Sequence, residues 1–401
     1  MNPETDSEDE LPPGWEERAT IDGQVYYANH LVKSTQWTHP RTGKRKTVSG
    51  SLPFGWEQRH LPDNKILYVN HQEEKTSYVD PRLAFAKEIV DPGDGLKDFR
   101  QRFDASSNAL QVLHGQDLSQ KIAIVTGGNS GIGFETARTL ARAGCLVILA
   151  CRSLSKAESS VADILEERPH AKCKALHLDL TSLASVEAFH AEFQKQFSKL
   201  DILILNAGIF GVDQRTQDGL ESTFQVNYLS QFYLANLLKP LLMKSTMPKM
   251  VTLSSESHRF SLKTESADFM HLSAASNHST YAYNDSKLFQ LMFALQADTL
   301  WDKIHCIAVH PGNMVCSGLT RHWWPYKFIF NLVRPFMKSL QQAAASVIFA
   351  TAAPEMNYVG GIYVNNCVPC QPSQVAQNQK FRHILWQTSL RILQDKGYIV
   401  K

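Results

Sequence analysis

The chain has no long apolar run. Nothing in its 401 residues reaches the roughly 18 apolar residues of a membrane helix, so no transmembrane segment is expected. It has almost no net charge either. Its 41 lysines and arginines against 39 aspartates and glutamates leave +2, which removes any global electrostatic argument for nucleic acid. Cysteine is sparse: seven residues, an odd number, lie in the C-terminal part of the chain. That argues against a disulfide framework and fits reduced thiols in the cytoplasm or nucleus. Cys367 and Cys370 form "CVPC", but no second ligand pair accompanies them. No metal is therefore expected, and a redox role is the chemistry left to that pair. The opening "MNPETDSEDE" has neither a basic patch nor an apolar run, so no secretory signal is expected, and residues 1–10 read as an acidic disordered tail.

What the chain does have is a repeat. "LPPGWEERATIDGQVYYANHLVKSTQWTHP" and "LPFGWEQRHLPDNKILYVNHQEEKTSYVDP" share Gly-Trp-Glu, Asn-His and a closing proline, with Trp15 and Trp56 41 residues apart. Short aromatic and β-branched runs, broken by Asp22-Gly23 and Asp63-Asn64, predict a small three-stranded antiparallel sheet in each copy. Units this short bury little core, so the first Trp and the last Pro of each should clasp across one face.

These motifs resemble WW domains, over residues 11–44 and 52–85. The resemblance implies a groove for proline-rich ligands, which are already extended and lose little entropy on docking. In the first copy that groove comprises Tyr26, Ala28, His30, Thr35 and Trp37, with Trp15, Tyr27 and Pro40 as the clasp. In the second copy the groove aromatics become Leu67 and Tyr78, while the clasp of Trp56, Tyr68 and Pro81 is intact. The first copy is thus expected to bind partners carrying Pro-Pro-x-Tyr segments, and the second to fold but grip proline weakly. Between the copies, "TGKRKT" is a basic cluster, either a solvated linker or a nuclear-import signal through Lys44–Lys46.

Residues 86–118 read as a connector, rich in turn residues and without clear period. From 119 to 370 the texture changes. The apolar runs "KIAIVTGG", "CLVILACR", "LDILILNAG", "KMVTLSSES" and "IHCIAVHPG" alternate with helical patterns, and residues 371–401 read as a helical extension. Such alternation predicts an α/β fold with a doubly wound parallel sheet, which takes its ligands beyond the carboxyl ends of the strands.

The chemistry-bearing residues fall at those ends. In "TGGNSGIG" the glycines Gly127, Gly128, Gly131 and Gly133, with Asn129, Ser130 and Ile132 between them, let the backbone approach a pyrophosphate at a helix N-terminus. Arg152 lies where an acid would bind a ribose 2′-hydroxyl, and it favours the 2′-phosphate of NADP instead. Tyr283 and Lys287 in "YNDSK" are four apart and share a helix face. An ammonium there should lower the phenol pKa. The rival Tyr281 has Asp285 at that spacing, which would raise it. Ser255 can donate to a substrate carbonyl, and Asn227 can hold a water beside Lys287.

Together these motifs resemble the short-chain dehydrogenase/reductase family, and "LACR" with "SSESHRF" resembles its retinol dehydrogenase branch. The resemblance adds Asp179 on the adenine side, Asn206, Ala207 and Gly208 in "NAG", and Pro311 and Gly312 in "HPG" as cofactor-binding residues. It implies hydride transfer between NADP(H) and a lipophilic alcohol/ketone pair, of steroid or retinoid type. Tyr283 is the acid/base, Lys287 also holds the nicotinamide ribose, Ser255 polarises the substrate oxygen and Asn227 maintains a proton path. Where relatives have a nicotinamide-contacting Thr after "HPG", either Cys316 or Ser317 substitutes here or the contact is lost. The aromatic stretch 322–336 is a substrate lid, or else a partner- or membrane-facing patch. Two hypotheses follow: an enzyme targeted by its WW domains, or a signalling adaptor whose dehydrogenase fold senses cofactor. The resemblance also implies scaffolding of transcription regulators, roles in growth control and apoptosis, and mitochondrial as well as cytoplasmic and nuclear placement.

Overall fold

The structure, a computed structural model, describes residues 11–20, 23–41, 45–48, 52–53, 55–61, 66–71, 74–89, 101–261, 279–312 and 338–400. The expectations placed on residues 1–10, Asp22, Asp63-Asn64, Lys44, Cys316, Ser317 and 322–336 lie outside the described residues. The chain divides into two compact units, residues 1–98 and 99–401.

In the first unit each repeat is a three-stranded antiparallel sheet. One comprises β1 (Trp15–Ala19), β2 (Val25–Asn29) and β3 (Ser34–Gln36). Between the copies runs β4 (Arg45–Thr47). The other sheet comprises β5 (Trp56–His60), β6 (Ile66–Asn70) and β7 (Lys75–Ser77). The basic segment departs from the linker reading. β4 pairs antiparallel with β8 (Lys87–Ile89), beyond the second copy. Thr47 donates to the Gly23 carbonyl at 2.9 Å, and Lys46 lies 3.6 Å from Glu17. Val48 joins Val25 and Tyr27 in one small core, flanked by Leu11, Trp15, Leu83 and Ala86. Thr47 and Val48 are short and β-branched, so the segment that carries the charge also carries residues a sheet accepts.

The second copy is locked by a buried carboxylate. Asp80 accepts from the Tyr68 hydroxyl at 2.9 Å and from Arg82 at 2.7 Å, and it caps the 3-10 turn Pro81–Phe85. Burial disfavours its charge, but the hydrogen bonds from Arg82 and Tyr68 prevail and hold its pKa below the ordinary value.

The second unit begins with α1 (Ala109–Leu113), whose start is closed by a capping box of Asn108 and Gln111. The segment read as a connector therefore contributes Ala109, Val112 and Leu113 to a core. The cap supplies the helix start that periodicity did not show. Then follow β9 (Ile122–Thr126), α2 (Gly131–Arg142), β10 (Leu146–Cys151), α3 (Leu154–Glu167), β11 (Lys172–His177) and α4 (Leu183–Gln196). After β12 (Ile202–Leu205) a π-helical turn, Gln225–Leu229, leads into α5 (Ser230–Leu242). The order ends with β13 (Lys249–Leu253), α6 (Ser279–Leu300), β14 (His305–His310), α7 (Leu340–Ala352), β15 (Ile362–Asn365), β16 (Val368–Cys370) and α8 (Gln379–Asp395).

The sheet order is β11-β10-β9-β12-β13-β14-β15-β16, parallel except for β16. Strand residues alternate between two cores. Ile124, Ile148, Leu203, Met250 and Ala308 face α4, α5, α6 and α8. Ala123, Val147, Ile204, Val251 and Val309 face α1, α2, α3 and α7. Burial on both faces explains why the strands read as continuous apolar runs. The order reverses between β9 and β12, the switch point at which such sheets bind ligands. "CVPC" straddles the two cores. Cys367 packs in one and Cys370 against the other, and both are free thiols. Cys367 lies in the turn between β15 and β16 and Cys370 ends β16, so the two thiols pack toward different cores.

Replacing Asp80 by Ala should remove the acceptor of the buried Tyr68 hydroxyl and the carboxylate that pairs with Arg82, and destabilise the second copy by about 3 kcal/mol. Amide exchange over Ile66–Asn70 in the full chain, faster by roughly a hundredfold, is the expected readout. A depressed folded pKa stabilises above the unfolded value. In the unmodified chain this contribution should therefore be complete above about pH 4 and vanish as acid titrates Asp80.

Candidate functional site

The glycine loop joins β9 to α2 at the switch point. Gly127 and Gly131 have positive φ (65° and 57°). A Cβ on Gly133 would fall 2.4 Å from both the Asn206 amide nitrogen and the Gly127 carbonyl. Only glycine permits this closeness. Ser130 is the N-cap of α2 and makes no side-chain cap bond, so the first N–H groups of the helix are open at the loop, an arrangement suited to a pyrophosphate. Asn129 is held from below by the Ser160 hydroxyl at 3.2 Å.

The "NAG" loop is fastened to the same place. Thr126 Oγ1 accepts from the backbone N–H groups of Asn206 (2.9 Å) and Ala207 (3.0 Å), and the Asn206 side chain donates to the Thr126 carbonyl at 2.8 Å. Arg152 follows β10 directly and is exposed beside Ser153, the N-cap of α3. Asp179 accepts from the Thr181 N–H and hydroxyl. Pro311 and Gly312 follow β14, and the Lys338 side chain lies within 3.0 Å of where a Gly312 Cβ would stand. An open helix end, a side-chain-free cradle and an exposed cation thus lie along the carboxyl ends of the strands, a geometry that suits a dinucleotide.

Three elements carry the reactive groups. Ser255 caps the 3-10 turn Glu256–Phe260, and its Oγ accepts from the Ser257 N–H at 3.2 Å, leaving the hydroxyl hydrogen to donate. That turn lies against α6, where the Ser261 hydroxyl donates to Asp285 at 2.6 Å. Asn227 lies in the π turn, donates to Ser286 Oγ at 3.0 Å and accepts from the Ile209 N–H at 2.8 Å. Ser286 donates in turn to the Tyr283 carbonyl at 2.7 Å. Tyr283 meets the Phe210 ring edge-on at 5.2 Å. Tyr281, the rival aromatic, is 40% exposed.

Lys287 is buried. It donates to the Leu253 carbonyl and to Gln290 Oε1, both at 2.7 Å, and its Nζ stands 5.4 Å from the centre of the Tyr283 ring. The expectation that this ammonium lowers the Tyr283 pKa is corrected. The phenol keeps part of its ring surface open, yet burial pushes its pKa above the ordinary tyrosine value, and burial brings Lys287 down to about 7. The ammonium points at two carbonyls rather than at the phenol oxygen.

Several residues at the site were not singled out from the sequence. His258 donates from Nδ1 to the Ser255 carbonyl at 2.7 Å and accepts the Ser373 N–H at Nε2. These partners fix its neutral tautomer and tie Ser255 to the segment after β16. Gln231 bridges the Thr126 hydroxyl and the Ala207 carbonyl. Gln290 and His258 both lie three residues from a recognised site residue, a spacing that gave the available signal.

In the first repeat, the Tyr26 and Trp37 rings stand 5.9 Å apart at 68°, and Trp37 is 47% exposed. Ala28 pairs with Thr35, and His30 Nε2 lies 2.7 Å from Glu16. In the second repeat, Tyr78 is 61% exposed with Leu67 where a facing aromatic would be.

The model of the short chain dehydrogenase family matches residues 121–267 and that of the WW domain residues 11–40. A solved structure of an uncharacterised Mycobacterium paratuberculosis protein superposes with a TM-score of 0.57 at 26% identity, over 72% of this chain and 98% of that one. Mouse retinol dehydrogenase 12 is 35% identical over 68% of this chain and 86% of its own. The Drosophila melanogaster WW domain-containing oxidoreductase is 47% identical over 98% of this chain and 97% of its own, and the human one 49% identical over 98% and 96%. With both kinds of module in their expected geometry and such identity along nearly the whole length, the chain belongs to the WW domain-containing oxidoreductases, short-chain dehydrogenases carried behind WW modules.

Proposed function

We propose that the chain is an NADP(H)-dependent oxidoreductase acting on CH–OH groups of lipophilic alcohols and their ketones, directed to Pro-Pro-x-Tyr partners by its first WW module. The observation that carries this reading is the gathering of Ser255, Tyr283, Lys287 and Asn227 on three touching elements beside the open end of α2. When bound, the cofactor supplies or accepts the hydride. Ser255 donates to the substrate oxygen, and Tyr283 gives that oxygen a proton in reduction and takes it back in oxidation. Lys287 has one N–H free of Leu253 and Gln290, available to the nicotinamide ribose. The Phe210 ring beside Tyr283 is an apolar neighbour of the phenol, in keeping with a steroid- or retinoid-like substrate.

The NADP preference rests on Arg152 and on the absence of an acid beside it. NADPH should bind at least about tenfold tighter than NADH, and Arg152→Ala should remove most of that difference. Equal affinities in the unmodified chain would contradict the assignment.

Tyr283→Phe should lower turnover by about a hundredfold or more while leaving NADPH affinity nearly unchanged, because the phenol hydroxyl acts on the substrate and not on the dinucleotide. A steroid and retinoid alcohol panel with this variant as control checks both the substrate class and the acid/base. Retained turnover would exclude the mechanism, and no turnover by the unmodified chain on any member would favour the adaptor reading.

For the WW modules, the measurement is titration of one labelled Pro-Pro-x-Tyr peptide against full-length variants. Trp37→Ala should weaken binding by about tenfold or more, since it removes one of the two rings that enclose a proline. Tyr78→Ala should leave binding almost unchanged. Equal losses would mean that both grooves work.

A further inference from the structure

We propose that Gln290 is a positioning residue for Lys287. Its side-chain carbonyl, with the Leu253 main-chain carbonyl, forms a dock that holds the Lys287 ammonium where no carboxylate among the described residues pairs with it. The inference rests on the reading of Lys287 as the catalytic lysine.

The dock is built from two elements. Leu253 closes β13, and Gln290 stands one helical turn after Lys287 on α6. Two hydroxyls on the strand side fix the helix in register: Ser254 Oγ donates to the Lys287 carbonyl at 2.8 Å, and Thr252 Oγ1 to the Gln290 carbonyl at 3.2 Å. With the backbone so held, Lys287 Nζ reaches both acceptors at 2.7 Å. Gln290 is 2% exposed, and its amide orientation is informative. The oxygen faces the ammonium, while Nε2 donates to no protein acceptor among the described residues. The opposite orientation would set an NH2 group against NH3+. The side chain therefore forgoes a bond for its own donor in order to offer its acceptor to Lys287.

The electrostatics make that acceptor matter. Tyr283 faces Lys287 from the same helix, and the "NAG" loop and Asn227 present neutral groups. Burial is the dominant influence on the Lys287 pKa and lowers it to about 7, and among the described residues no carboxylate pairs with the ammonium to offset it. A lysine poised near neutrality is sensitive to each hydrogen bond made to its charged form. Removing an acceptor lowers the pKa further, and supplying a carboxylate raises it. Lys287 is charged below its pKa and neutral above it, so an interaction that needs the ammonium weakens as pH rises through that value.

The test uses the full chain with 13C-labelled lysine, the Lys287 Cε resonance being identified by its loss in Lys287→Met. In the cofactor-free protein, Gln290→Leu should move the Lys287 midpoint down by about one pH unit and Gln290→Glu up by at least as much. Gln290→Asn, with a shorter reach to the same carbonyl, should fall between Leu and the unmodified chain. A merely structural role would lower the melting temperature and leave the midpoint in place, and identical midpoints in all three variants would overturn the proposal. NADPH binding, followed by its own fluorescence across the same pH range, supplies the second arm. Affinity should fall as pH rises through the Lys287 midpoint and should follow that midpoint in each variant. Failure of the unmodified chain to bind NADPH would remove the cofactor reading, while the lysine titration would still decide the role of Gln290.

Discussion

A buried ammonium that pairs with no carboxylate among the described residues constrains the architecture of the dehydrogenase unit. Lys287 can be charged there only where neutral oxygens converge on it, and convergence requires β13 and α6 to keep a fixed register. The hydroxyls of Thr252 and Ser254 enforce that register from the strand. The same register sets the turn beginning at Ser255 against α6 and brings Tyr283 under Phe210. The π turn completes the arrangement. One extra residue in the helix lets Asn227 hold both the Ile209 backbone and Ser286, so the loop after "NAG" and the catalytic helix share a side chain.

The two repeats show how one device diverges while its fold persists. The clasp tyrosines Tyr27 and Tyr68 are both buried, each with its hydroxyl on a carboxylate: Glu17 in one copy and Asp80 in the other. The grooves are under a separate constraint, because their aromatics face outward and contribute little to the small core. Leu67 and Tyr78 can therefore replace the ring pair without unmaking the sheet. In the interval between the copies, β4 and Val48 attach the basic segment to the first sheet. Lys46 there is an ion-pair partner as well as a surface charge.

Much of this was legible in the sequence, and the reasons differ by residue. The strands were readable because burial on both faces makes them continuously apolar. The glycine loop was readable because Gly133 has no room for a Cβ. Tyr283 and Lys287 were readable as a pair on one helix face. The direction of their influence was not, since spacing brings two side chains to one face without saying which atom the longer one bonds. Lys287 turns to Leu253, 34 residues earlier in sequence, and to Gln290. Ala109–Leu113 was missed because five residues show no period, and its capping box is a four-residue signal easily lost among turn formers. The β4 segment was missed because its partner is a strand beyond the whole second repeat. "CVPC" invited a redox reading, but its two thiols pack toward different cores across the β15–β16 turn, with Asn366 and Cys367 in the left-handed region at its tip (φ 52° and 61°).

The dehydrogenase unit rests on a division of labour between protein and cofactor. The protein alone holds the Tyr283 pKa up by burial and keeps Lys287 on its carbonyl dock, and under the proposed function a bound dinucleotide would bring ammonium and phenol into one network. Tyrosinate absorbance in the ultraviolet tests this directly, taken as the difference between the unmodified chain and Tyr283→Phe, with and without NADP+. The account predicts that the Tyr283 signal titrates above the ordinary tyrosine range without the nucleotide and moves toward neutrality with it. A Tyr283 midpoint that is already low without nucleotide, or that does not move on saturation with it, would contradict the account.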